Sequence, residues 1–162
     1  MGNLNVNCRN PSTENLHYIF LPFNNYPNKN GRIYNKESFT NFNQILQRVE
    51  DGQCFGEVAL TNLPAYTPII ELDKISHIIT SIEITEVGLE GTITILDTPR
   101  GKLMEHMLDS VVIRPKMYLS EQDESGIVKV RIESFDFISK QYDGFNYNKR
   151  VQLSKLKKNI ES

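Results

Sequence analysis

Few side chains in this sequence are suited to hydrolytic chemistry. A serine nucleophile needs an adjacent base, because its hydroxyl does not lose a proton unaided at neutral pH. The candidate bases are three histidines, His17, His77 and His106. His77 and His17 lie in strand patterns, where we interpret both as structural residues and His77 as buried and hydrogen-bonded. His106 follows Glu105 on a short predicted helix, where we expect it to face solvent.

One predicted strand, 111–113, runs directly into Arg114 and Pro115. Arginine stays cationic and is not a nucleophile. Because an inward-facing arginine needs a partner, we favour a salt bridge over a plain surface charge. Proline removes a ladder donor, so we expect the chain near Arg114 to lie at a sheet margin. Asp136 lies between two phenylalanines and faces the other side of its strand, where a hydrogen-bonding role and half-exposure remain equally open.

Metal, phosphate and disulfide chemistry are not indicated. Cys8 and Cys54 are too few for a disulfide framework and lack metal-ligand spacing, so we interpret both as reduced thiols. The turn at 98–101 lacks the Gly-Lys-Ser/Thr of a phosphate loop. We therefore predict no cofactor, no metal and no small-molecule ligand.

The elements that must position these residues are mostly short strands, separated by turns rich in Asn, Pro and Gly. Strand patterns occupy 16–21, 54–60, 75–84, 92–95, 111–113 and 127–139. One helix is predicted to begin at 35–38 and to carry apolar residues at helical spacing, namely Phe39, Phe42, Ile45, Leu46 and Val49. A second follows the 98–101 turn, and further turns are predicted at 86–91 and 120–126. The pattern predicts an α+β, mainly β domain.

Charge divides the chain into an acidic body and a basic tail. Residues 149–162 hold five of the 18 basic side chains and one of the 20 acidic ones, a net charge of +4. The remaining 13 basic and 19 acidic side chains give residues 1–148 a net charge of −6. We predict a flexible arm at 1–15, a folded domain at 16–148 and a separate tail at 149–162. We expect no secretion signal and no membrane span, because neither pattern occurs in the sequence.

Five segments in order resemble the prohead maturation proteases of tailed bacteriophages. They are NKNGRIYNKESF, FGE, ISHII, EGTITILDTPRG and ESFDFIS, and they cover about residues 28–139. The family shares its fold with the herpesvirus assembly proteases. The resemblance therefore implies a herpesvirus/prohead-protease-like β-barrel with a few short helices.

The sequence departs from the family at the catalytic positions. The general-base histidine that follows the family's Gly-Glu pair corresponds to Leu60, and the serine nucleophile corresponds to Arg114. Leucine cannot accept a proton and arginine cannot attack a carbonyl, so both halves of the reaction are missing. His77 matches a family histidine that could have polarised the base, and it is vestigial without one.

The resemblance implies a catalytically inactive structural protein of a phage particle, acting as an auxiliary, cementing or decoration protein. Its expected partners are the major capsid protein and other virion proteins, and its expected location is the capsid, assembled in the host cytoplasm. One alternative is an active endopeptidase that pairs His77 with Ser110 or Ser120. Another is an assembly factor that leaves the particle.

The tail is the predicted binding segment. Its apolar and basic residues lie around a short helical pattern, and they are Val151, Leu153, Lys155, Leu156, Lys157, Lys158 and Ile160. Such a short helix needs a surface to fold against. We expect a contact in trans with a capsid neighbour, with docking in cis on the acidic body as the other candidate. Nucleic acid is a less favoured partner because no aromatic residues are interleaved with the charges.

Overall fold

Two antiparallel sheets make up most of the computed structural model, which describes residues 13–59 and 74–143. The first sheet has the strand order β1-β4-β3-β2 and the second pairs β5 with β6. The strands are β1 (Leu16–Pro22), β2 (Phe55–Glu57), β3 (Ile75–Ile84), β4 (Gly88–Ile95), β5 (Val111–Gln122) and β6 (Val128–Ser139). The helices are α1 (Phe42–Glu50) and α2 (Pro99–Glu105), with 3-10 turns at Leu108–Ser110 and Lys140–Tyr142.

The predicted α+β, mainly β class is confirmed, but the strands of the described residues form two separate sheets and do not close into the expected continuous barrel. On one side, Val58 bridges to Phe137, and the Ala59 amide donates to the Phe137 carbonyl at 2.8 Å. This places β2 between β3 and β6. The sheets share one core that includes Phe20, Leu21, Ile79, Ile93, Ile113, Phe135 and Phe137.

A bulge in β6 keeps its apolar residues on the core side. Val128, Val130 and Ile132 are buried while the residues between them are exposed, as alternation requires. The β5 partner shifts between Lys116 and Met117, which leaves Glu133 as the extra residue. The extra residue moves the core-facing positions from even to odd residue numbers, so Phe135 and Phe137 face the core as Val128, Val130 and Ile132 do.

Pro115 lies in the middle of β5, opposite Phe135, and β5 has a ladder partner on one side only. The Phe135 carbonyl accepts from His77, which lies on the side of β6 away from β5. In an antiparallel pair, the backbone N–H and C=O of one residue point to the same side of the strand. Because the Phe135 carbonyl points away from β5, Phe135 and Pro115 form a non-hydrogen-bonded pair. The missing N–H of Pro115 therefore removes no hydrogen bond between β5 and β6.

The first predicted helix begins later than its sequence pattern indicates. It starts at Phe42, because the preceding segment runs beside β6 as extended chain. The Thr40 amide donates to the Val130 carbonyl at 2.9 Å. The Asn41 side chain exchanges two hydrogen bonds with the Ile132 backbone, at 2.7 and 2.8 Å. Asparagine side chains compete with helix formation by bonding to backbone groups, and here they bond to a neighbouring strand.

Other boundaries differ by a few residues. β4 begins at Gly88, inside the turn predicted at 86–91, and β2 is shorter than the pattern at 54–60. β5 extends far beyond 111–113 and turns into β6 at 123–126, within the predicted loop. Within the described residues, no helix is long and apolar enough to cross a membrane.

Candidate functional site

Arg114 occupies the β5 position to which the resemblance assigns the nucleophile, and its guanidinium donates four hydrogen bonds. Its Nε and Nη2 donate to Asp143 Oδ1 and Oδ2, at 2.8 and 2.9 Å. Its Nη1 donates to the carbonyls of Ile19 and Ile113, both at 2.9 Å. The predicted salt bridge is therefore confirmed, in the bidentate geometry that makes such pairs strong.

The ion pair joins three parts of the fold. Arg114 belongs to β5, Ile19 belongs to β1, and Asp143 follows the 3-10 turn after β6. The Asp143 side chain is fully buried and that of Arg114 is only 15% exposed. A buried carboxylate needs this kind of compensation. Arg114 therefore bridges the space between the two sheets and fixes the position of the segment that follows β6.

His77 is buried, and both ring nitrogens are bonded. Nε2 lies 2.7 Å from the Phe135 carbonyl, and Nδ1 lies 2.7 Å from the Ser76 hydroxyl. Because a carbonyl only accepts, Nε2 carries the proton and Nδ1 accepts from Ser76. The Phe137 ring packs against the imidazole at 4.6 Å between centroids. Burial lowers the pKa of His77 to about 4, so the ring is neutral at pH 7. The predicted structural role of His77 is confirmed.

Gly56 explains part of the FGE motif. A Cβ built on this residue would lie 2.0 Å from His77 Nε2 and 2.3 Å from the Phe135 carbonyl oxygen. The strand pairing places Gly56 directly opposite His77. Only glycine leaves room for the bond between the imidazole and β6.

Asp136 lies close by on the other face of β6 and is 6% exposed. Its Oδ1 accepts from the Glu57 amide at 3.1 Å and from the Ser134 hydroxyl at 3.0 Å. Burial raises the pKa of Asp136 to about 6, and these two hydrogen bonds offset only part of that effect. Of the two predicted interpretations, the hydrogen-bonding role is the one observed.

The serines of the alternative endopeptidase are not assembled with a base. Ser110 and Ser120 are both exposed, whereas His77 is fully buried. The Ser120 hydroxyl donates to the Lys129 carbonyl at 2.8 Å. His106 is exposed, as predicted.

His17 and Cys54 complete the predicted residues that the structure describes. The His17 side chain is 57% exposed, and its Nε2 lies 2.8 Å from Glu90 Oε1. His17 is therefore a surface hydrogen-bonding residue on the sheet. Burial raises the pKa of the Cys54 thiol to about 11, which keeps the thiol protonated and unreactive.

Several predicted positions lie outside the described residues. They are Leu60, Cys8, arm residues 1–12 and the tail with Val151, Leu153, Lys155, Leu156, Lys157, Lys158 and Ile160. Over 13–59 and 74–143, no group of three or more potential metal ligands occurs. Sequence reasoning missed Asp143, because its partner is 29 residues away and no local pattern marks the contact.

No protein-family model matches the sequence, and no curated protein matches it. Among solved structures, the bacteriophage T4 capsid assembly protease gp21 has a similar fold, with a TM-score of 0.53. The two chains are 18% identical, and the match covers 76% of this chain and 79% of that chain. The prohead-protease-like fold expected from the sequence is thereby confirmed. At this identity the likeness concerns the fold alone.

Proposed function

We propose that this chain is a catalytically inactive, prohead-protease-like structural protein of a bacteriophage particle. In this role it binds the capsid shell as an auxiliary, cementing or decoration protein. Its partners are the major capsid protein and other virion proteins, and its location is the capsid, assembled in the host cytoplasm. The observation that carries the proposal is the buried ion pair of Arg114 and Asp143, at the β5 position assigned to the nucleophile.

In this ion pair Arg114 has a structural role, because it connects separate elements of the fold. All the hydrogen bonds of Arg114 described above go to β1, β5 and the segment after β6. Removing one partner of a buried ion pair leaves an uncompensated charge, which costs about 3–5 kcal/mol. The position is thus occupied by a residue on which stability depends and which cannot attack a peptide bond.

The state of His77 supports the same conclusion. A base that activates serine must reach the hydroxyl with a free ring nitrogen. Both nitrogens of His77 are bonded inside the protein, and the ring has no exposed surface. An endopeptidase that pairs His77 with Ser110 or Ser120 would first have to break these bonds.

The capsid partner is proposed from the fold. A solved structure with a similar fold belongs to a bacteriophage capsid assembly protease. A scaffold that loses its catalytic pair can keep its surfaces for capsid proteins. The proposed outcome is a binding module in place of an enzyme.

A direct test of inactivity uses a fluorophosphonate probe that labels activated serines. We expect no labelling of the full-length protein and no cleavage of capsid or scaffold proteins, because the one described serine hydroxyl that bonds to a histidine, that of Ser76, is fully buried together with His77. An active prohead protease serves as the positive control. Labelling or specific cleavage that disappears in Ser110→Ala or Ser120→Ala would establish the endopeptidase instead.

A second test separates a structural protein from a transient assembly factor. Mature particles are purified, and their proteins are identified and quantified by mass spectrometry. A structural role predicts the intact chain at fixed stoichiometry to the major capsid protein. Presence in immature particles and absence from mature ones would identify an assembly factor that leaves.

A further inference from the structure

The outer face of the first sheet carries a row of three side chains across three strands. Ile19 in β1 pairs with Glu90 in β4, and Glu90 pairs with Glu83 in β3. Directly paired residues share a face, so the three side chains are neighbours. Ile19 is 40% exposed, which makes it one of the few large exposed apolar residues in the described part of the chain. The face therefore combines one apolar contact point with two carboxylates.

The two carboxylates are unequally compensated. Glu90 lies 2.8 Å from His17 and also accepts from the Thr85 hydroxyl. Glu83 is exposed, and no cation within the described residues pairs with it. Like charges directly opposite each other on a sheet are destabilising. A cationic group bound over this row would relieve that repulsion.

The chain leaves the described domain beside this row. Asp143, the last described residue, is held by Arg114, and the same guanidinium donates to the carbonyl of Ile19. The residues that follow Asp143 therefore start next to β1. The buried ion pair with Arg114 fixes the position of Asp143, from which residues 144–162 continue.

The length and the charge of residues 144–162 are both compatible with binding to the row of Ile19, Glu90 and Glu83. Seven residues, 144–150, separate Asp143 from Val151, and an extended chain of that length spans up to about 25 Å. The row from Ile19 to Glu83 crosses two strand spacings, only about 10 Å. Residues 144–162 hold five basic side chains and one acidic one. Their apolar stripe and their lysines match the exposed isoleucine and the paired carboxylates.

We propose that residues 149–162 dock in cis on this outer face, with the apolar stripe over Ile19 and the lysines over Glu83 and Glu90. A tether of seven residues gives the tail a local concentration near the millimolar range, well above that of another molecule in dilute solution. In the free protein the cis contact thus replaces the trans contact that the sequence pattern favours. A capsid neighbour that binds the tail must displace it from this face.

Zero-length carbodiimide cross-linking of the full-length protein tests the contact, because it joins lysine amines to carboxylates that touch. We expect Lys155, Lys157 or Lys158 to be linked to Glu83 and Glu90 within one molecule. The linked fraction should not change on about tenfold dilution, since an intramolecular contact does not depend on concentration. Peptide mass spectrometry of the monomer band measures it.

Two matched variants sharpen the test. Glu83→Gln removes the uncompensated charge, and the yield of the remaining link to Glu90 should fall about two- to fivefold, the range expected for one exposed ion pair. Glu121→Gln, at another exposed strand glutamate, should leave that yield unchanged. Links that form only between molecules, an absence of links to Glu83 and Glu90, or equal effects of the two variants would overturn the proposal.

Discussion

At the scale of single residues, Gly56 and His77 form the tightest contact of the site. Replacing Gly56 by alanine places a methyl group where the imidazole and the Phe135 carbonyl already lie. We expect Gly56→Ala to lower the free energy of unfolding by about 1–3 kcal/mol, the usual cost of overpacking. Urea unfolding followed by circular dichroism measures this change.

Gly31 provides the comparison for that substitution. No atom lies within 4 Å of a Cβ built on Gly31, although its φ of +77° disfavours alanine. Gly31→Ala should therefore cost only the conformational penalty, about 1 kcal/mol. A Gly56→Ala protein as stable as the wild type would show that the bond between His77 and Phe135 does not require a glycine.

At the scale of elements, Arg114 links β5 to β1 and to the segment that follows β6. We expect Arg114→Ala to lower the free energy of unfolding by about 3–5 kcal/mol, because it removes the bidentate ion-pair contact that Arg114 makes with the buried Asp143 carboxylate. Arg131→Ala is the control, since the Arg131 side chain is 53% exposed in its pair with Glu133. Exposed pairs contribute about 0–1 kcal/mol. Equal costs for both variants in guanidinium unfolding would contradict the role assigned to Arg114.

Elements with clear periodicity could be predicted from the sequence. The β3 strand has the bounds that its β-branched run indicates. The second helix also forms, but α2 begins at Pro99, inside the turn predicted at 98–101, because the Thr98 side chain caps it by accepting from the Gly101 amide at 3.0 Å. The extended segment before α1 could not be predicted, because the Asn41 side chain hydrogen-bonds to the backbone of a strand residue 91 positions away. Periodicity reports which face is apolar, and it does not report which distant backbone a polar side chain will bond.

The contacts of the candidate site likewise divide into those that could be predicted from the sequence and those that could not. The need of Arg114 for a partner follows from elementary electrostatics, and the structure supplies it. The identity of that partner, the burial of Asp136 and the closeness of Gly56 to His77 all depend on how the sheets meet. Such contacts arise from the tertiary arrangement of β2, β3 and β6, which no local pattern encodes.

At the scale of the whole molecule, two buried groups give stability opposite dependences on pH. The pKa of His77 is lowered to about 4, so the unfolded chain binds the proton more tightly and stability falls as pH drops from about 6.5 to 4. The pKa of Asp136 is raised to about 6, so the folded chain binds the proton more tightly. Stability from Asp136 is lost as pH rises from about 4 through 6. The two contributions largely cancel between pH 4 and 6.

The Asp136→Asn variant removes one of these contributions while keeping an oxygen for the Glu57 amide. Relative to this variant, we expect the wild type to lose stability as pH rises from about 4 to 6, by roughly 1.4 kcal/mol per pH unit at most. Urea unfolding of both proteins at about pH 4.5, 5.5 and 7 measures the difference. The exposed Asp109→Asn serves as the control. Parallel curves for wild type and Asp136→Asn would refute the coupling.

The edge of β5 that is not paired with β6 affects how the protein behaves when many copies are crowded together. Phe137 pairs with Ile113 and turns its carbonyl away from β5, so the carbonyl of Ile113 points away from β6, where Arg114 Nη1 donates to it and to the Ile19 carbonyl of β1. Pro115, two residues on, presents no N–H to that side. A strand from another copy would find one acceptor already taken and one donor missing at this edge. We therefore expect β5 to resist intermolecular strand addition and the aggregation that follows from it, even at high protein concentration.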